Sequence, residues 1–272
     1  MNIIIPVYFL FYMFYNKKQK TNLFVSNKIE CIKCINKNIS DTVNYDIKKL
    51  ISISPGGYKG VYMLGTCTYI KEKYDTKDYL FSGASAGAWN SLMMVCKKNF
   101  IENKKEIINY SIENSKNIND LQNLMKKQIM KHYKTEDFDL DRLYIGVTTI
   151  NKLNIDTKIY YNFENLEDAI DCCIASSHIP MITGGIFNKY KNVLSFDGGF
   201  SNYPYLHKIK SIIHITPNIW NDRLTNNKRK DSFTTLFFKN RYNFDKLFED
   251  GYEDAKKNKD FLDSLFLEND IQ

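Results

Sequence analysis

The chain has 272 residues, a net charge of +7, 43% hydrophobic and 25% charged residues. That suffices for one substantial α/β domain with additions and excludes a low-complexity or disordered chain. The positive balance favours anionic surfaces, phospholipid headgroups included; the tightest basic cluster, Lys228-Arg229-Lys230, lacks interleaved aromatics, which argues against nucleic acid.

Residues 1–15 carry no charge and are almost wholly apolar, and Lys17, Lys18 and Lys20 follow. As a helix this run reaches about 22 Å, short of the ~30 Å hydrocarbon core. A secretory signal would place its charge before the apolar run and small residues after it. We read residues 1–20 as an interfacial membrane anchor with a basic flank, a marginal span or a plain extension being the alternatives. Residues 21–49 are polar and Asn/Lys-rich and read as a linker. Within it Cys31 and Cys34 form a Cys-x-x-Cys, but no second pair follows at zinc-site spacing. Cys67, Cys96, Cys172 and Cys173 fall in apolar segments and read as buried thiols, so a reducing, intracellular setting is the simpler inference.

The main domain is expected over residues 50–220, with a helical, Phe-rich extension over 221–272. Residues 50–54 form a short apolar strand, and Pro55-Gly56-Gly57-Tyr58-Lys59-Gly60 follows before a helix over 61–73. Glycines between strand and helix let N–H groups converge on an anion, either a phosphate or the oxyanion of acyl transfer. The Gly-Lys-[Ser/Thr] ending of a P-loop is missing, and Pro55 stands where a dinucleotide motif needs its first glycine; a plain tight turn is the alternative. The run Tyr79-Leu80-Phe81-Ser82 then meets Gly83-Ala84-Ser85-Ala86-Gly87, with a helix predicted over 85–97. In this strand-turn-helix setting Ser85 becomes an exposed nucleophile at a helix N-terminus, and side chains at Gly83 and Gly87 would collide where strand and helix pass.

Residues 103–131 are polar with apolar residues at helical spacing (Ile107, Ile118, Leu121, Leu124, Met125), a segment to cover the sheet or cap the site. Strands are predicted over 143–150 and 158–163, joined through 151–157, then a helix over 166–176 and a strand over 211–216. Val193-Leu194-Ser195-Phe196 reads as a buried strand running into Asp197-Gly198-Gly199, where a carboxylate is little crowded, although Asp-Gly is also an ordinary turn. Strands alternating with helices predict a three-layer α/β/α sandwich with a mainly parallel central sheet, and a site at the strands' C-terminal edge. In the extension Phe233, Phe237, Phe244, Phe248, Tyr252 and Ala255 fall near one helical face, which packs on the domain or contacts lipid as a lid.

The glycine loop, the Gly-x-Ser-x-Gly and the Asp-Gly-Gly in this order resemble the patatin-like phospholipases. Ala175-Ser176 with Pro180, and Asp197-Gly198-Gly199 followed by Asn202 and Pro204, are similar to further segments of that family. The resemblance spans residues 50–217 and implies a Ser-Asp dyad: Ser85 as nucleophile and Asp197 as general base, with Gly56, Gly57, Tyr58, Lys59 and Gly60 on the oxyanion loop. It implies a lipid acyl hydrolase acting on phospholipids or related glycerolipids at a membrane or lipid-droplet surface, with no metal or organic cofactor. Two departures stand out: Pro55 replaces the loop's first glycine and has no N–H to donate, and Lys59 stands where many members carry arginine.

Serine needs a base beside it, and histidine is the usual one. Of His132, His178, His207 and His214, His178, in a loop before Pro180, is the best triad candidate, but no acidic partner stands out between it and Ser85. Two other readings therefore stay open: a Ser-His esterase or acyltransferase using His178, and a noncatalytic lipid-binding protein on the same fold.

Overall fold

The computed structural model describes residues 49–151, 154–220, 239 and 242–267. The proposed anchor, the linker with Cys31 and Cys34, the Lys228-Arg229-Lys230 cluster, Phe233 and Phe237 lie outside the described residues.

Seven strands form one mixed sheet, most of them parallel, flanked by helices: β1 (Lys49–Ile53), β2 (Tyr79–Gly83), β3 (Leu143–Asn151), β4 (Asn154–Tyr160), β5 (Asn188–Tyr190), β6 (Val193–Phe196) and β7 (Ser211–Ile215). The sheet order is β5-β6-β3-β2-β1-β7, with β4 also on β3. Strands β7, β1, β2 and β3 are mutually parallel; β4 and β6 run antiparallel to β3, and β5 antiparallel to β6.

Strand β3 organises the site. From Ile145 to Asn151 it pairs with β4, so its other edge is left for two partners. There β2 pairs in parallel with Leu143–Ile145, and β6 pairs antiparallel with Thr148–Ile150. Running in opposite directions along one edge, β2 and β6 approach each other C-terminus to C-terminus. Their ends, Gly83 opposite Ile145 and Phe196 opposite Thr148, are separated only by Gly146 and Val147.

Alternation along each strand sorts the two faces. Ile51, Ile53, Tyr79, Phe81, Leu143, Ile145 and Val147 join the large core, which also holds residues of α1 (Gly60–Lys73), α2 (Ala86–Met94) and α5 (Leu166–Ser176). Leu50, Leu80 and Tyr144 face the other way and pack with Leu206, whose N–H donates to Ser82 Oγ at 3.0 Å. Each fully buried Ile or Phe contributes about 1.5–3 kcal/mol by leaving water.

The segment predicted as one polar helix is broken. A π turn (Lys105–Asn109) leads into α3 (Tyr110–Asn114), and α4 (Ile118–His132) restarts after Ser115 and Asn117. Ser115 Oγ donates to Ile112 O, and the Asn117 side chain accepts from Asp120 N–H, so the break is capped on both sides. Helix α2 stops at Met94, short of the predicted Lys97, because Val95 O and Lys97 N–H bond to Asp139 N–H and Asp137 O. Strand β4 starts at Asn154, where a connection was expected, and β5 had not been predicted; β5 and β6 join through Lys191-Asn192, both at positive φ, the geometry of a tight hairpin turn.

Helices α6 (Phe244–Lys257) and α7 (Lys259–Phe266) pack on the core through Phe248, Tyr252, Ala255, Leu262 and Phe266. The crossing of α6 over α1 is very close. A Cβ on Gly65 would lie 2.0 Å from Phe248 O, and one on Gly251 would lie 2.0 Å from Tyr62 O. Among the described residues no helix is long and apolar enough to cross a membrane.

Candidate active site

Ser85 occupies the turn between β2 and α2 with φ 53° and ψ −125°, a conformation L-residues rarely adopt. Close packing around it requires the motif glycines. A Cβ on Gly83 would lie 2.1 Å from Gly87 O, and one on Gly87 would lie 2.1 Å from Ile53 O. The Ser85 N–H donates to Ser176 Oγ at 2.9 Å, and that hydroxyl donates to Gly146 O at 2.7 Å. The turn is thus tied to β3 through Ser176.

Asp197 leaves the end of β6 directly opposite. Ser85 Oγ donates to Asp197 Oδ2 at 2.6 Å, and Gly199 N–H donates to Oδ1 at 2.6 Å. The Asp197 backbone is fixed at both ends: its N–H donates to His178 O at 2.7 Å, and its carbonyl accepts from Thr148 Oγ1 at 2.8 Å. Gly198 has the same need for space as Gly83, since a Cβ there would lie 2.4 Å from Gly146 O. Burial pushes the Asp197 carboxyl up to about 6, against the lowering effect of the bonds from Ser85 and Gly199. A carboxylate raised into that range is a better proton acceptor than an exposed one while still ionised near neutrality.

The glycine loop lies alongside. Gly57–Lys59 form a 3-10 turn with Gly57 at φ 52°, Lys59 N–H donates to Gly56 O, and a Cβ on Gly60 would lie 2.8 Å from Ala86 Cβ. Gly57, Tyr58 and Gly60 line a cleft together with Ser85, Ala86 and Asp197. The N–H groups of Gly57, Tyr58 and Ala86 have no partner among the described residues and are free to donate. Pro55 packs against Gly199, and Lys59 N-caps α1 without lining the cleft.

The cleft encloses about 740 Å³ counting its open mouth, and its walls are mostly apolar. Val61 and Leu64 come from α1, Trp89 from α2, Ile108 and Ile112 from the π turn and α3, and Leu121 and Met125 from α4. The broken helical segment is therefore the wall facing Ser85. Tyr58 is held from behind by Tyr242 and Phe244, at ring separations of 6.4 and 5.7 Å.

The His178 ring approaches Thr183 Oγ1 at 3.5 Å and lies tilted against the Phe196 ring, 6.1 Å between ring centres, and its Nε2 is buried without a hydrogen-bond partner. Burial lowers its pKa, and it makes no hydrogen bond to Ser85. His214 Nδ1 bonds Ser52 Oγ at 2.7 Å on β7, and His207 stacks on Tyr203. Cys67, Cys96, Cys172 and Cys173 are all buried, and burial raises Cys67 to about 12. Among the described residues no three His, Cys, Asp or Glu side chains converge as a metal site would require. Ser176 and Thr148, which position the pair, were not singled out in the sequence; the Ala175-Ser176 segment carried a signal for the first, and nothing marked the second.

Comparison with known families gives a match to Patatin, described as patatin-like phospholipase, over residues 51–207. The comparison with curated proteins returns no match. Among solved structures six chains match, one of them VipD from Legionella pneumophila, with 15% identity and a TM-score of 0.41. That match covers 62% of this chain and 49% of VipD, so the chain spans about half the length of that protein.

Proposed function

This chain belongs to the patatin-like phospholipase family, and on that premise we propose that it cleaves fatty acyl esters of phospholipids or related glycerolipids through Ser85 and Asp197. Membership supports lipid acyl hydrolase activity in general. The observation that carries the finer reading is the 2.6 Å bond from Ser85 Oγ to a buried carboxylate, at the head of an apolar cleft.

In this reading Ser85 Oγ attacks the ester carbonyl carbon while Asp197 Oδ2 takes the hydroxyl proton. The N–H groups of Ala86 and Gly57, with Tyr58, receive the negative charge that develops on the carbonyl oxygen. The Ser85 N–H is already engaged by Ser176, so the donor on the elbow is Ala86. Collapse of the tetrahedral species expels the alcohol, which takes the proton from Asp197, and leaves an acyl ester on Ser85. Water, deprotonated by Asp197, then releases the fatty acid and restores the serine. Pro55 removes one donor, but Gly57 follows at the position whose amide faces no other partner.

The substrate's place is a lipid surface. An uncharged run over residues 1–15 followed by three lysines supports a tether to an anionic membrane, and the net charge of +7 works in the same direction. Labelling with a fluorophosphonate probe tests the chemistry, since it reacts with activated serines. The wild-type chain should label and hydrolyse phospholipid, and Ser85→Ala should do neither while keeping its fold. A wild-type chain that fails to label would favour the noncatalytic lipid-binding alternative. Loss of labelling in His178→Ala but not in Asp197→Asn would replace the dyad by a Ser-His pair.

A further inference from the structure

Between α5 and β5 the chain makes a loop with two faces. On its inner side Ile179 and Thr183 line the cleft below Ser85 and Asp197. On its outer side Met181, Ile186 and Phe187 are 44%, 44% and 67% exposed, and Ile182 is half-buried. Among the described residues, three of the large exposed apolar side chains thus sit within seven residues, on a loop that also lines the apolar cleft.

This loop is held together from within. Ile179 N–H donates to Thr183 Oγ1 at 2.7 Å, Thr183 N–H donates back to Ile179 O at 3.0 Å, and Met181 N–H donates to Gly185 O at 3.3 Å. Its far end rests near α4, where a Cβ on Gly184 would lie 3.5 Å from Asn119 Oδ1. These bonds fix the stretch from Ile179 to Gly185, so the loop can meet an apolar medium with little further ordering.

The charge around it points to an anionic surface. From Cys172 to Phe196 the sequence contains no Asp or Glu, while Lys189 and Lys191 follow the apolar tip. Lys191 is paired with Asp168 at 3.0 Å, and Lys189 is exposed. Apolar side chains at the tip with a lysine behind them match the layering of a bilayer, acyl chains below phosphate headgroups.

We infer that the loop bearing Met181, Ile182, Ile186 and Phe187 is the element that enters the lipid surface, bringing the cleft mouth to the acyl chains. The inference rests on the lipid hydrolase reading above and adds the contact surface to it. The N-terminal segment and the loop are separate devices: the first would hold the protein near the membrane, and the second opens the cleft onto it.

The test uses a local reporter in the full chain, so that binding through residues 1–20 cannot hide the result. Phe187→Trp is mixed with vesicles of phosphatidylcholine containing phosphatidylserine, and its emission is compared with that of the wild-type chain, which has Trp89 and Trp220. The added emission should shift to shorter wavelength and be quenched by lipids brominated on the acyl chain. Phe187→Asp should lower hydrolysis of vesicle lipid at least tenfold and leave turnover of a short-chain soluble ester unchanged. An unshifted, unquenched reporter on a chain that co-sediments with the vesicles would overturn the inference. So would a chain that ignores lipid and binds a protein through this loop. Insertion of the Phe187→Trp reporter, together with a wild-type chain that cleaves no ester, would sink the hydrolase reading and leave the loop assignment standing.

Discussion

Replacing Asp197 with asparagine should make the protein more stable at pH 8 while removing its activity. Burial raises the Asp197 carboxyl from its ordinary 3.8 to about 6. A carboxyl raised in this way holds its proton more tightly in the folded state. Its contribution to stability is therefore whole below about pH 3.8 and is lost as pH rises through about 6. Two pKa units at about 1.4 kcal/mol each come to about 3 kcal/mol of destabilisation when Asp197 is ionised. Asparagine does not titrate, and its amide can keep both contacts: Oδ1 accepts from Gly199 N–H, and Nδ2 donates to Ser85 Oγ. The expected gain at pH 8 is about 2–3 kcal/mol, or about 5–10 °C in Tm for a domain of this size. At pH 5 roughly half of it should remain, because the unfolded carboxyl is then ionised and the folded one is not. Urea unfolding of both proteins at the two pH values measures this directly. A variant less stable than wild type at pH 8, or a gain equal at both pH values, would refute the reasoning. Activity should meanwhile fall by at least ~10²-fold, the lower end of general-base effects.

The same carboxyl sets the pH profile: kcat/KM for a soluble ester should rise about tenfold per pH unit below about 6 and level off above 7. Ser85→Gly should be more stable than Ser85→Ala by about 1 kcal/mol in thermal unfolding, because glycine relieves the φ of 53° and alanine does not. Gly87→Ala should yield little folded protein, as its methyl would lie 2.1 Å from the Ile53 carbonyl; a well-folded, active Gly87→Ala would show that β1 and α2 can separate. Deleting residues 1–20 should weaken binding to anionic liposomes and bilayer hydrolysis while leaving soluble-ester turnover intact, and unchanged liposome binding would remove the tether.

The parts of this molecule that were legible in its sequence are those where backbone meets backbone. Gly83, Gly87 and Gly198 stand where only glycine fits, so the site frame was visible as spacing. Strands β1, β2, β3 and β6 announced themselves because buried strands need apolar residues on at least one face. The first half of strand β4 did not: it pairs at the outer edge of β3, and Asp156 and Thr157 are exposed there, which looks like a connection. The end of α2 was hidden because Val95 and Lys97 find partners around Asp137 and Asp139, forty residues on, which local propensity does not record. The breaks at Ser115 and Asn117 carry capping residues, but the apolar period of the longer stretch runs across them and masks the signal. That this stretch walls the cleft follows from tertiary packing and had no separate signature.

Two strands ending head to head on one edge of β3 make the catalytic distance a matter of register. A slip of β6 by one residue would exchange the faces of Ser195 and Phe196, 0% and 1% exposed, and put an aromatic ring where a hydroxyl now fits. A slip by two restores the faces but carries Asp197 about 6.8 Å along β3. Between those settings the ladder offers no resting place, so the 2.6 Å contact with Ser85 is a discrete state, made or lost and never loosened by degrees. The apolar pattern of a four-residue strand thereby acts as an indexing device for chemistry that happens one residue beyond its end. Substitutions at Phe196, which does not line the cleft, would be read out as fractions of fully competent molecules and not as a uniformly slower enzyme.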